Sequence, residues 1–304
     1  LQKVNQSNRY DWEGTDELIS KIATKNNISP ENILLGAGST EILDLVGRYC
    51  SENKGSFIVS DPTYSYWADA VEKLGMKKVT VPLTEDKHQD LTALLKAITE
   101  DTKLVYICNP NNPTGTVCNY DSLLRFINEA TKKAIVLVDE AYMEYTDQKS
   151  LATLVKDNKN LVIAKTFSKI YGLAGARIGY GIAHQETIGK ISQLQSWNNG
   201  SVSAVSIAGA LASIEDDSFI AETYTSNEKV KKYTIENLER LTIRCIPSHT
   251  NFIYFSLSKY NKDFFEQLQI NNILGTKIYE ENGKWSRITI GTMTEMQQFI
   301  KALE

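Results

Sequence analysis

Four cysteines and three histidines in 304 residues are too few, and too scattered, for the frameworks such residues build. Cys50, Cys108, Cys118 and Cys245 show no metal-ligand spacing and no dense disulfide pattern, so reduced thiols in a cytoplasmic protein are the expectation. His88, His184 and His249 stand apart among polar neighbours and read as surface or loop residues, not as a metal site. Basic excess is missing too. The net charge is -4 and the pI about 5.6, which leaves no footprint for nucleic acid or an anionic membrane. The longest apolar runs, such as residues 134–138, have strand length and not membrane-spanning length. Internal repeats, low-complexity segments and an appended helix-turn-helix region are absent. The chain opens on Leu1 with no signal-like apolar core, from which a missing piece of the native N-terminus is expected.

What is present is ordinary for a soluble globular protein: 42% apolar and 23% charged residues, in a chain long enough for two domains. Residues 1–14 are polar and aperiodic, an arm or connector. Thr15 then reads as the cap of a helix whose apolar face is Leu18, Ile19, Ile22 and Ala23. A short strand at 33–35 runs into Gly36, Ala37, Gly38, Ser39 and Thr40 before the next helix. Strand, small-residue turn and helix aim backbone N–H groups and a positive dipole end at an anion, although a plain capped helix has the same pattern. Apolar runs at 57–59, 104–107, 135–138 and 161–164 alternate with helical stretches at 68–74, 91–98, 123–130 and 151–155. This alternation predicts an α/β fold, a mostly parallel sheet with helices on both faces. After residue 191 the helices lengthen at 202–214 and 219–241. From 242 the pattern is α+β, with strands at 242–246, 251–257 and 287–290 and helices at 263–268 and 294–303.

Ligands of open α/β sheets bind at the carboxyl ends of strands, and there the distinctive residues fall. The stretch 161–181 reads LVIAKTFSKIYGLAGARIGYG. Lys169 follows a buried strand, where desolvation lowers an amine's pKa and frees it to condense with an aldehyde. Thr166, Ser168 and Arg177 are the donors one would gather around a phosphate. An amine for an aldehyde and donors for a phosphate ester together describe pyridoxal phosphate; the competing reading is a snorkelling surface lysine and an ordinary ion pair. Asp139 closes the strand at 135–138, placed to keep a pyridine nitrogen protonated or, alternatively, to cap a helix. Tyr142 and Asn112, the latter in the turn NPNNPTG at 109–115, have the reach to contact a ring oxygen. Tyr64 offers a stacking face or simply core, and Arg287 a fork for a carboxylate or a surface ion pair.

Taken together, these segments resemble the fold-type I pyridoxal-phosphate aminotransferases, most closely the histidinol-phosphate aminotransferase branch. The matching stretches are NRY at 8–10, SPENILLGAGSTE at 29–41, DPTY at 61–64, NPNNPTG at 109–115, DEAY at 139–142, TFSKIYGLAGARIGYG at 166–181 and RITIGT at 287–292. The resemblance implies that Lys169 carries the cofactor and shuttles the proton, with Asp139 and Tyr142 as catalytic partners. It implies further that Asn112 and Tyr142 contact the ring oxygen, that Tyr64 stacks on the ring, and that Ser39, Thr40, Thr166, Ser168 and Arg177 hold the phosphate. Tyr10 would reach in from a neighbouring subunit of a homodimer, and Arg287 would bind the substrate carboxylate.

Also implied are an N-terminal segment at 1–30, a large cofactor domain at 31–225 and a small domain at 226–304. The activity implied is ping-pong transfer between an amino acid, with glutamate and 2-oxoglutarate as one pair, and a second amine such as histidinol phosphate or an aromatic amino acid, in amino-acid biosynthesis. Three departures stand out: the chain starts after the family's pocket-lining N-terminal arm, it reads GAGSTE where GNGSDE is frequent, and it has no arginine in 272–281, where Lys277 is the nearby cation. Alternatives on the same motifs are a decarboxylase of amino-acid phosphates and a catalytically silent binding domain.

Overall fold

The computed structural model describes residues 4–6, 8–197, 199, 202–275 and 277–304, so part of the expected arm at 1–14 lies outside the described residues. Helix α1, Trp12–Lys25, is started by Asp11, whose carboxylate accepts the Gly14 N–H at 3.3 Å. Thr15, expected as the cap, lies inside the helix and turns its hydroxyl back onto the Asp11 carbonyl at 2.7 Å.

A regular alternation follows: β1 (Ile33–Gly36), α2 (Ser39–Ser51), β2 (Ser56–Asp61), α3 (Ser65–Lys73), β3 (Lys77–Pro82), α4 (Leu91–Ala97), β4 (Thr102–Cys108), α5 (Tyr120–Ala130) and β5 (Ile135–Asp139). Then come β6 (Leu161–Thr166), β7 (Gly179–Ala183), α6 (Gln185–Ser192) and α7 (Ala204–Ile214). The seven strands form one sheet in the order β1-β7-β6-β5-β4-β2-β3. From β3 to β6 every pairing is parallel, whereas β7 runs antiparallel to both its neighbours, β6 and β1. Strands β4, β5 and β6 are buried almost end to end, which needs cover on both faces. One core packs α2 and α3 on one face; the other packs α1, α4, α5 and α7 on the opposite face.

Two strands were not anticipated from the sequence. β3 is an edge strand, KKVTVP, in which only Val81 is buried, so its apolar signal is thin. β7, GYGIA, is wholly buried but carries two glycines; a Cβ at Gly179 would strike the backbone of Gly38, Ser39 and Lys165. The helical stretch expected at 151–155 is a 3-10 turn, Ala152–Lys156.

Helix α8, Asp217–Arg240, leads to a second sheet and buries Asn227, Val230, Lys231, Thr234 and Leu238 along one side. This sheet contains β8 (Arg244–Ile246), β9 (Phe252–Ser256) and β10 (Trp285–Thr289), antiparallel in the order β10-β9-β8. Helices α9 (Phe264–Ile270) and α10 (Met293–Leu303) pack against it around their own core. Arg287 stands in the middle of β10 and does not open it. Among the described residues, no helix is long and apolar enough to cross a membrane.

Candidate active site

Parallel pairing makes β4, β5 and β6 end side by side: Cys108 is level with Asp139, and Asp139 with Ala164. The loops leaving these ends, with the start of α2 and Tyr64 before α3, enclose a cavity of about 250 Å³. That is just below the roughly 300–1,000 Å³ usual for small-molecule sites, a size for one substituted ring and not a dinucleotide. Ten sequence-predicted residues line it: Lys169, Asp139, Tyr142, Asn112 and Tyr64, together with Ser39, Thr40, Thr166, Ser168 and Arg177. Cys108, Ala141 and Ala174 line it as well and carry no signal beyond their place next to strand ends.

Asp139 is buried, yet both carboxylate oxygens are engaged. Oδ2 accepts the Tyr106 hydroxyl at 2.9 Å and Oδ1 the Ala141 N–H at 3.1 Å. Its bond to Ala141 closes a local turn and caps no α-helix; a 3-10 turn, Met143–Tyr145, follows. Burial pushes the carboxyl above its ordinary range, while the Tyr106 and Ala141 donors and the Lys169 charge pull it down. Tyr106 is fully buried in β4. Its hydroxyl is the one polar group of the run LVYIC at 104–108 apart from the thiol, which is the signal that could have singled it out.

Lys169 is half-buried, with Nζ 5.1 Å from the centroid of the Tyr142 ring. Burial lowers its amine pKa first of all; Asp139 opposes this, and the charges of Arg287 and Arg177 reinforce it. Four residues earlier, buried Lys165 meets the opposite fate. Its Nζ lies 2.9 Å from Glu144 Oε1 and 3.3 Å from Glu140 Oε2. Burial lowers the Lys165 pKa, but the two carboxylates outweigh it and hold the amine well above its ordinary value.

The cavity is also lined by the start of α2, which begins at Ser39 with no side-chain cap on its first N–H groups. The preceding Gly38 has φ 81°, and a Cβ there would collide with the Arg177 guanidinium. Arg177 Nη2 donates to the Ala37 carbonyl at 3.2 Å, and Nη1 to Ser168 Oγ at 3.2 Å and the Ala174 carbonyl at 3.0 Å. The Ser168 N–H in turn donates to Thr166 Oγ1 at 3.1 Å. A helix start, a guanidinium and two hydroxyls converging on a space kept open by a missing Cβ form a cradle for a dianion. An anion cradle, a buried carboxylate and an amine of lowered pKa in one cavity fit pyridoxal phosphate.

Two expected site residues lie outside the lining. Arg287 reaches its edge from β10, with Nη1 donating to Asn112 Oδ1 at 2.6 Å and Cζ 4.7 Å above the Phe252 ring. Tyr10 is exposed and stacks on Trp197, with ring centroids 5.6 Å apart, so within a single chain it does not join the other site residues. Among the described residues, no group of histidine, cysteine, aspartate and glutamate side chains could hold a metal ion.

This sheet, with lysine, aspartate and anion cradle at its carboxyl edge, defines a fold-type I pyridoxal-phosphate enzyme. The chain belongs to the aminotransferase class I and II family, which matches residues 2–303, and it is an aminotransferase. It is 35% identical over 294 residues to a histidinol-phosphate aminotransferase of Dechloromonas aromatica, covering 95% of this chain and 80% of that protein. With its counterpart in Moorella thermoacetica the identity is 33%, covering 93% and 74%. Among solved structures, histidinol-phosphate aminotransferase from Sinorhizobium meliloti, in complex with pyridoxal-5'-phosphate, superposes with a TM-score of 0.88 at 26% identity, covering 99% of this chain and 83% of that one. An L-threonine-O-3-phosphate decarboxylase from Porphyromonas gingivalis has a TM-score of 0.84 at 23% identity, covering 99% and 94%, a likeness of fold alone.

Proposed function

We propose that this aminotransferase works on histidinol phosphate, with glutamate and 2-oxoglutarate as the other amine and oxo-acid pair, by a ping-pong route. The observation that carries the assignment of roles is the meeting of Lys169, Asp139 and Arg177 in one cavity. The substrate is supported by the histidinol-phosphate aminotransferases of 33–35% identity along most of the chain. When bound, pyridoxal phosphate supplies an aldehyde for the amine and a ring that takes up electrons from the substrate's Cα–H bond. In this reading Lys169 Nζ holds the cofactor and then moves the proton to and from the substrate's α-carbon. Asp139 holds a proton at the pyridine nitrogen, and Asn112 and Tyr142 steady the ring oxygen. Tyr64 provides the stacking face. Ser39, Thr40, Thr166, Ser168 and Arg177 take the phosphate, and Arg287 takes the carboxylate of glutamate.

The same reading divides the chain at 1–30, 31–225 and 226–304 and makes it a homodimer of the cytoplasm, with Tyr10 offered to the partner subunit's phosphate cradle. Exposed Tyr10 and Trp12, both stacked on exposed Trp197, support a face of that kind.

One observation favours a second substrate. The segment 272–281 has no arginine, and Lys277 points its Nζ over two rings, 5.2 Å from Tyr279 and 5.9 Å from Tyr66. A lysine is a point charge without the bidentate fork, and one engaged with aromatic rings is a weaker argument for a phosphate on the substrate than for an aromatic group. A donor screen with histidinol phosphate, phenylalanine, tyrosine and glutamate decides. A kcat/KM at least tenfold higher for histidinol phosphate than for the aromatic donors is expected, and the reverse order would replace it with the aromatic reading.

A further inference from the structure

The assigned roles leave one buried polar group next to the cavity without a part. Tyr106 lies in β4, has no exposure, and is fixed by its ring, whose centroid is 4.5 Å from that of Trp67. Trp67 is itself tied down by its Nε1–H to the Leu43 carbonyl at 2.7 Å. The phenol has little freedom to turn away from Asp139 Oδ2, 2.9 Å distant. Burial keeps the phenol protonated, so it remains a donor. A carboxylate has about four lone-pair sites; Tyr106 and the Ala141 N–H use two, which leaves room for one more donor from the cavity side.

We propose that the Tyr106 hydroxyl is a positioning group for Asp139: by donating to Oδ2 it makes the carboxylate a weaker base and biases the proton shared with the pyridine nitrogen of pyridoxal phosphate toward nitrogen. The inference rests on the cofactor reading above. A proton between a carboxylate and a pyridine belongs to whichever is the stronger base. A carboxylate stripped of water is a strong one, so burial alone would draw the proton onto Asp139 and leave the ring neutral. A donor on one carboxylate oxygen stabilises the anion and restores the ion pair. The other titratable groups around Asp139 are Cys108 on the same strand as Tyr106, Glu140 and Tyr142 in its own segment, Lys169 after β6, and Tyr64 ahead of α3. Of these, Tyr106 is the group bonded to the carboxylate by its side chain.

The test is nitrogen NMR of the holoenzyme loaded with pyridoxal phosphate isotope-labelled at the ring nitrogen. In Tyr106→Phe, which keeps the ring against Trp67, the resonance is expected to move toward the unprotonated pyridine value. The ratio of protonated to unprotonated nitrogen should fall roughly tenfold, the equivalent of about one pKa unit. An aminophenylalanine at position 106, a weaker donor of nearly the same shape, should fall between the two and decides alone if the Phe variant does not fold. A packing role would lower stability and leave the nitrogen resonance in place, so an unchanged resonance in the folded variants overturns the proposal. If the parent protein takes up no cofactor at all, the cofactor reading fails as well, which is a separate result.

Discussion

Arg287 stands in the small sheet and Asn112 in the turn that follows β4 of the large one, yet Nη1 of the arginine donates to Oδ1 of the asparagine at 2.6 Å. The bond spans the opening between the small antiparallel sheet and the Asn-Pro turn, and beside it the His249 N–H donates to the Gly115 carbonyl at 2.8 Å. The arginine is thus aimed at the cavity mouth by a side chain that lines the cavity.

If Arg287 receives the carboxylate of the amino donor, Arg287→Lys keeps the charge and removes the fork. The kcat/KM for glutamate should fall by roughly 10–150-fold, the worth of a charge-assisted hydrogen bond, with most of the loss in KM. Cofactor uptake, followed by absorbance, should stay as in the parent. Unaltered glutamate kinetics would remove Arg287 from the substrate's path.

Asp139 gives a stability change of unusual sign. Burial raises its carboxyl above the ordinary 3.8 in the folded chain. Between the ordinary and the raised value the folded chain binds more protons than the unfolded one, so stability falls as pH rises through that window. Asp139→Asn removes this loss. The cofactor-free variant should melt above the parent at neutral pH, by about 2–4 °C per kcal/mol recovered, and the gap should close below the ordinary carboxyl pKa. The same variant should bind pyridoxal phosphate more weakly. A lower Tm at neutral pH would show that the carboxylate is no burden to the empty fold.

Gly38 lies directly against the Arg177 guanidinium. An alanine there must adopt φ 81° and displace the Arg177 guanidinium. Gly38→Ala is expected to weaken pyridoxal phosphate binding by roughly 10–100-fold, the range for losing one charge-assisted contact. Dialysis against graded cofactor would measure it, and an affinity equal to the parent's would place the phosphate elsewhere.

Lys165 contributes to stability and not to the chemistry. Its pKa is raised in the fold, so its contribution is complete below the ordinary 10.5 and is lost only as pH climbs through the folded value. At neutral pH, Lys165→Met would strand Glu140 and Glu144 without their shared cation, a loss of about 3–5 kcal/mol. A lower denaturant midpoint at unchanged slope checks this. A midpoint like the parent's would mean that water or rearrangement compensates the two glutamates.

The parts of the site legible in the sequence are those that follow strand ends. Asp139 comes directly after an apolar run, Asn112 and Lys169 in the loops five positions beyond theirs, and parallel pairing brings such strand ends together without further information. Arg177 was legible through its glycine-rich surroundings. Tyr106 offered only a lone hydroxyl inside an apolar strand, a pattern that reads as core, and its bond to Asp139 shows what it faces. The Arg287 contact with Asn112 was hidden for another reason: it depends on how two sheets meet, which no local pattern encodes. β3 and β7 escaped because one is an edge with two lysines and the other is rich in glycine. Thr15 looked like a cap by residue type, but Asp11 is the one whose carboxylate reaches a free N–H, and type alone did not distinguish them.

Lys165 and Lys169 are four positions apart, and their surroundings treat the same functional group in contrary ways. One is held as a cation by two acids, whereas burial and two arginine charges lower the other's pKa and favour its neutral form. An electrophile that strays into the cavity, such as isocyanate or a reactive metabolite aldehyde, meets a single competent amine there. In the cofactor-free chain, the lowered pKa that suits the residue to its role also favours carbamylation and glycation at it.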